Sequence, residues 1–168
     1  MIWLKTLLFT LIAPGTVTVL MPYLLLSSRR VTEIPAWGAL RFLGLLPLLI
    51  GFGIYLWCAY DFAAKGRGTP APIDPPKQLV RSGLYRFTRN PMYVGIMLIL
   101  LGEAIFFAST TLLLYAGAVF LGFNAFILFY EEPALRRLFG ESYSCYCAEV
   151  PRWILNFKHY RSTNIFFC

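Results

Sequence analysis

The chain has 168 residues, of which 58% are hydrophobic and only 14% are charged. That balance is too apolar for a water-soluble domain, in which about a quarter of the residues are charged. The net charge of +7 does not point to nucleic acid either, because the basic residues flank apolar stretches, where membrane topology and anionic lipid account for them.

Four apolar stretches follow one another, Ile2 to Leu26, Leu40 to Tyr60, Met92 to Ala108 and Leu112 to Tyr130. Each approaches the roughly 20 residues that a helical span needs. Runs such as LLPLLIGFGIYLW lack the alternation of a membrane barrel. The expected fold is therefore all-α, an integral membrane helical bundle of about four transmembrane helices with a carboxy-terminal interfacial helix. A single membrane domain is expected over 1–168. It divides into two spans in 1–63, a cytoplasmic loop at 64–91, a transmembrane hairpin at 92–130 and a cytoplasmic covering tail at 131–168.

The first stretch is long for a signal core and lacks a convincing small-x-small site, so it is expected to remain as a span. Pro14-Gly15 predicts a kink within it. The second span runs to Asp61, where AAKGRGTPAPIDPPK brings a density of Gly and Pro that no helix continues through. Pro91 suits the first turn of span three. Ala108, Ser109, Thr110 and Thr111 form a tight uncharged connection, so spans three and four are expected to be an antiparallel hairpin. Glu103 and Asn124 fall inside these spans, and contacts between helices are the expected role of each. Beyond Tyr130, Glu131-Glu132-Pro133 is read as opening a new helix through about Cys147, with the two acids at its positive end. Leu135, Leu138 and Phe139 give that helix an apolar face suited to the membrane surface.

With alternating spans, twelve of the 15 basic residues fall on one side, and only Arg29, Arg30 and Arg41 fall on the other. The positive-inside rule makes the richer side cytoplasmic. Two polar clusters occupy it, GLYRFTRNPMYVG at 83–95 and YEEPALRRLFGESYSCYCAEVPR at 130–152. The 35 residues between Gly95 and Glu131 suffice to cross a layer of about 30 Å and return. Arg86, Arg89 and Asn90 are thereby expected to face Glu131 and Glu132 around a polar cofactor. No metal site is expected, since the C-x-C of Cys145 and Cys147 lacks a second pair.

The two clusters resemble the isoprenylcysteine carboxyl methyltransferase family and the related phospholipid methyltransferases. The family pattern G-x-Y, R-H-P-x-Y-x-G, helical hairpin, E-E and F-G-x-x-Y-x-x-Y-x-x-x-V-P-R is met in order. Here it reads Gly83-Leu84-Tyr85, Arg89-Asn90-Pro91-Met92-Tyr93-Val94-Gly95, Glu131-Glu132, then Phe139-Gly140, Tyr143, Tyr146 and Val150-Pro151-Arg152. Two positions depart from it. The family histidine is Asn90, which keeps hydrogen bonding and loses titration near neutral pH. The arginine that prenylcysteine enzymes place four residues before the first glutamate is Ile127.

The resemblance implies S-adenosylmethionine as cofactor and a lipophilic small-molecule or lipid-anchored acceptor, either a prenylcysteine-like carboxylate or a phospholipid amine. Carried over by position, the cofactor contacts are Lys77, Gln78, Leu79, Val80, Tyr85, Asn90, Pro91, Met92, Tyr93 and Glu131. Arg89, Asn90 and Glu132 are the candidate catalytic residues. Two other readings stand beside it, a non-enzymatic four-span scaffold or lipid-binding protein whose charged clusters only pin the bundle at the interface, and an NADPH-dependent sterol-reductase-like protein, a kind that shares a similar carboxy-terminal architecture. A bacterial inner membrane or the endoplasmic reticulum membrane is the expected location.

Overall fold

The computed structural model describes residues 2–27, 38–66 and 78–153, and all their regular elements are helical. Helix α1 (Ile2–Gly15) passes through a wide π-helical turn at Thr16–Leu20 into α2 (Met21–Ser27). A 3-10 segment at Gly38–Gly44 leads into α3 (Leu45–Asp61), which ends in a second π turn at Phe62–Gly66. After a short 3-10 turn at Gly83–Arg86 come α4 (Pro91–Phe106) and α5 (Thr110–Phe126). A third π turn at Ile127–Glu131 joins α5 to α6 (Glu132–Phe139), and α7 (Glu141–Glu149) follows.

Three continuous helical stretches, Thr6–Ser27, Gly38–Ala64 and Thr110–Phe139, are long and apolar enough to cross a membrane. The 16 residues of α4 rise only about 24 Å, short of a hydrocarbon layer of about 30 Å. Leu114, Leu121 and Phe129 lie on the outside of the bundle, where lipid rather than water solvates them. The protein is an all-α membrane bundle.

Its tightest contact is an antiparallel seam between α3 and α4. A methyl group added at Gly51 would lie 2.5 Å from the Gly95 carbonyl, and one at Gly102 would lie 2.7 Å from that of Gly44. Gly44 and Gly51 are seven residues apart, as are Gly95 and Gly102, so each pair returns to the same helix face. Lipid tails are as apolar as the helices themselves, so association relies on such close backbone approach.

Two prolines explain two of the π turns. At Thr16–Leu20 the Met21 N–H reaches back to the Thr16 carbonyl, and the next carbonyl, Val17, would need a donor from Pro22, which has none. Tyr115 supplies it, donating to Val17 O at 2.9 Å. At Ile127–Glu131 the Glu132 N–H bonds the Ile127 carbonyl, and Pro133 stands where the next donor would be. The irregularity expected at Pro14-Gly15 therefore falls on the following turn. The helix expected to open at Glu131 instead continues α5, because a π turn shifts the ladder by one residue and lets Pro133 be carried without a break. The break comes at Gly140, whose φ of 56° and ψ of −130° suit a residue without Cβ.

The α4–α5 connection is as tight as expected. The Ser109 side chain caps α5 by accepting from Leu112 N, and Leu100, Ala116, Ile96 and Tyr55 fill the core beneath. Tyr55 donates to Thr10 Oγ1 at 2.9 Å, which ties α1 to α3.

The seam makes a prediction about sign. Alanine normally improves a helix over glycine by about 1 kcal/mol, and Gly53→Ala, with nothing within 4 Å, is expected to be neutral or stabilising. Gly51→Ala is expected to destabilise by about 1–3 kcal/mol through overpacking. Thermal unfolding of both variants in detergent checks the contrast.

Candidate active site

The exit of α3, the start of α4 and the passage from α5 into α6 border a cavity of about 880 Å³. Its wall is mostly apolar and aromatic, with contributions from α1 (Phe9, Ala13), the α3 exit (Phe62) and α5 (Phe123, Phe126). Among the described residues, the charged groups that reach it are Arg89, Glu131 and Arg137. That composition, and a volume inside the usual 300–1,000 Å³ range, is typical of small-molecule sites.

The hairpin brings its two ends together. Tyr93, in the first turn of α4, donates its hydroxyl to Glu131 Oε2 at 2.7 Å, and its ring packs on Phe123 at 4.7 Å between centroids. Arg89 and Asn90 line the same cavity. Among the described residues Glu131 faces no cation at salt-bridge distance.

Glu132 does the opposite. Arg152 grips both of its oxygens, Nε to Oε1 at 2.9 Å and Nη2 to Oε2 at 3.1 Å, and Arg89 Nη1 donates to Oε1 at 3.1 Å. The side chains are 11% exposed for Glu132 and 13% for Arg89, so this ion cluster is largely out of solvent. Arg89 Nη1 also donates to Cys147 Sγ at 2.9 Å. Backbone contacts reinforce the link: Arg89 N–H donates to Pro151 O at 2.9 Å, and Thr88 Oγ1 and Asn90 Nδ2 both donate to Arg152 O, at 2.9 and 3.3 Å. Trp153 then donates to Asn124 Oδ1 at 3.0 Å, so Asn124 anchors the segment after α7 to α5.

Helix α7 closes the far wall. Tyr146 donates to the Tyr85 carbonyl at 2.7 Å, and Arg81 donates to the Ser142 carbonyl while lying over the Tyr146 ring. Burial holds the hydroxyls of Tyr85 and Tyr146 above the usual phenol range, so both stay protonated and neutral at physiological pH. Gly83, at φ +64°, lets this segment approach α3. A Cβ there would collide with the Asp61 carboxylate.

Of the sequence-derived contacts, Leu79, Val80, Tyr85, Asn90, Tyr93 and Glu131 are in the cavity wall, together with Arg89. Gln78 is exposed, Pro91 is buried as the first residue of α4, and Met92 packs into the core beneath. Lys77 lies outside the described residues. Sequence reasoning missed Phe9 and Ala13, which nothing in α1 distinguishes from its other apolar residues. It also missed Arg137, which is one of two adjacent arginines. Only a helical projection from Glu131 through Ala134 and Leu138 separates it from Arg136. Ile127 is buried and is not part of the wall.

A family model described as phospholipid methyltransferase matches residues 39–142, which is more than half of the chain and spans the hairpin with both of its polar ends. The chain belongs to the phospholipid methyltransferase family. Neither a curated protein nor a solved structure matches it. Family membership makes it a membrane methyltransferase and implies lipid-related substrates. The matched segment ends before Tyr143, Tyr146 and Arg152, so part of the cavity wall and half of the clamp on Glu132 lie beyond it. Among the described residues no group of His, Cys, Asp and Glu is arranged to hold a metal ion.

The clamp predicts an unequal response to its members. Glu132→Gln leaves Arg89 and Arg152 without their shared counter-ion and is expected to cost about 3 kcal/mol. Arg152→Gln is expected to cost less, because Arg152 is more exposed, at 28%, and Arg89 still neutralises Glu132. Chemical denaturation in mixed micelles measures the difference.

Proposed function

We propose that the protein binds S-adenosylmethionine in the 880 Å³ cavity and transfers its methyl group to a lipophilic acceptor drawn from the bilayer. The observation that carries this reading is the Tyr93–Glu131 contact at 2.7 Å, which closes the two motif clusters around a single hollow. The residues there fit such a cofactor. Glu131 is a carboxylate without a cationic partner among the described residues, suited to ribose hydroxyls or to an ammonium group. Tyr85 and Tyr93 present aromatic surface for a nucleoside or a sulfonium.

When bound, S-adenosylmethionine supplies an electrophilic methyl on a positively charged sulfur. The protein's part is approach geometry and exclusion of water. The apolar wall formed by Phe9, Phe62, Phe123 and Phe126 excludes water and admits a lipid chain. Asn90 donates to Arg152 O, so its amide is oriented rather than free to rotate. Arg89 is held by Glu132 and acts as a positioning residue for the loop that carries Asn90. Neutral Tyr85 and Tyr146 do not serve as bases at physiological pH. A carboxylate acceptor needs no base, and an amine acceptor must arrive deprotonated. With Ile127 buried where prenylcysteine enzymes carry arginine, a phospholipid amine is the acceptor we favour. The cavity mouth faces the cytoplasm in the orientation set by the basic residues.

Glu131→Gln is expected to weaken S-adenosylhomocysteine binding by at least tenfold while thermal unfolding in detergent stays close to that of the parent. Unchanged affinity would return the protein to the scaffold reading, and tight NADPH binding in its place would favour the reductase one. Incubation with radiolabelled S-adenosylmethionine and a total lipid extract is expected to label a lipid, and the chromatographic position of that lipid names the acceptor.

A further inference from the structure

Helix α6 carries two consecutive arginines, and they do different things. Arg137 lines the cavity and Arg136 does not. Arg137 makes no hydrogen bond or ion pair among the described residues, whereas the cavity's other arginine, Arg89, is committed to Glu132 and Cys147. Among the described residues, the wall therefore holds one unengaged cation in a predominantly apolar surface, on the same helical stretch as Glu131. Six steps along the helix separate the two by about 9 Å along the axis. An elongated ligand that sets hydroxyls or a cationic group against Glu131 thus meets a guanidinium further along.

We infer that Arg137 is the oxyanion-binding residue of the cavity. This rests on the cofactor reading above and deepens it. Arg137 is exposed, but guanidinium offers a planar fork of donors that matches a carboxylate or a phosphate, and such charge-assisted bonds are stronger than neutral ones. Two ligands bring an oxyanion here. One is the amino-acid carboxylate of the cofactor, on the opposite end from its nucleoside. The other is the phosphate of a lipid acceptor. A purely structural role also exists for arginine in the last turn of α6, where it complements the helix dipole, but that role is indifferent to what occupies the cavity.

The test compares ligands that differ only in the oxyanion. S-adenosylhomocysteine has the carboxylate, and 5′-methylthioadenosine keeps the nucleoside without it. Short-chain phosphatidic acid has the phosphate, and the matching diacylglycerol lacks it. Affinities of all four are measured by calorimetry on the parent and on Arg137→Gln, after thermal unfolding has established that the variant is folded, and Arg136→Gln serves as a control. A cofactor carboxylate at Arg137 predicts that the variant loses about tenfold for S-adenosylhomocysteine and nothing for 5′-methylthioadenosine. A lipid phosphate predicts the loss for phosphatidic acid alone, with diacylglycerol unaffected. Equal affinities of parent and variant for both anionic ligands, or equal losses for each charged ligand and its uncharged counterpart, overturn the assignment. Should the parent bind neither nucleoside, the cofactor reading fails by itself, and the phosphatidic acid comparison still decides the role of Arg137.

Discussion

Two guanidinium groups meet on the Glu132 carboxylate, from Arg89 just before α4 and from Arg152 beyond α7. A carboxylate so little exposed needs both charge compensation and hydrogen-bond donors, and one arginine seldom provides all of them. Here Arg152 takes both oxygens and Arg89 adds a third bond. The chain on either side of these residues must then run close together, and the three hydrogen bonds between 88–90 and 151–152 follow. The clamp thus holds α6, the approach to α4 and the segment after α7 in one arrangement. The cavity lies beside it.

The height at which these pieces meet is set elsewhere, by the glycine seam. Gly44 faces Gly102 and Gly51 faces Gly95, a register in which residue numbers on the two helices fall in opposite directions. Carried toward the site, it brings the last turns of α3 level with the chain that precedes α4. Cys58 and Phe62 accordingly pack with Val80 and Tyr85, and Tyr85 meets Phe62 edge to face at 5.5 Å. Bulkier residues in the seam would push α3 outward and open the cavity floor, although no seam residue touches the cavity.

The periodicity and composition of the chain were enough to read the apolar helices, the tight turn at Ala108–Thr111 and the return of the hairpin that leaves Asn90 and Glu131 lining one cavity. These depend on short-range rules, the length of a span and the need of a hairpin to return. The helix boundary at Glu131 was not legible, because Pro133 signals a helix start in any rule based on an α ladder, and the π turn before it changes the ladder. The same geometry recurs at Pro22, so a proline two residues beyond a π turn is the local solution in two of the three long helical stretches, Thr6–Ser27 and Thr110–Phe139. The glycine seam was visible in principle as two pairs with a spacing of seven, but glycine is common in membrane helices, and only the partner helix shows which ones touch. Phe9 and Ala13 in the wall depend on how α1 lies against its neighbours, through contacts such as Tyr55 to Thr10, which no local pattern encodes.

The adjacency of the two acids has a physical consequence of its own. Consecutive residues on a helix point about 100° apart, so Glu131 and Glu132 cannot address the same target, and the π turn that ends at Glu131 adjusts where the division falls. Glu132 is turned toward the clamp and draws in Arg89 and Arg152. Glu131 is turned toward the cavity and, among the described residues, receives only a neutral donor, Tyr93. Had the chain carried one acid, Arg89 and the cavity would compete for it, and a carboxylate already paired with guanidinium has little attraction left for a cation. Spending one acid on the arginines leaves the other available at the site.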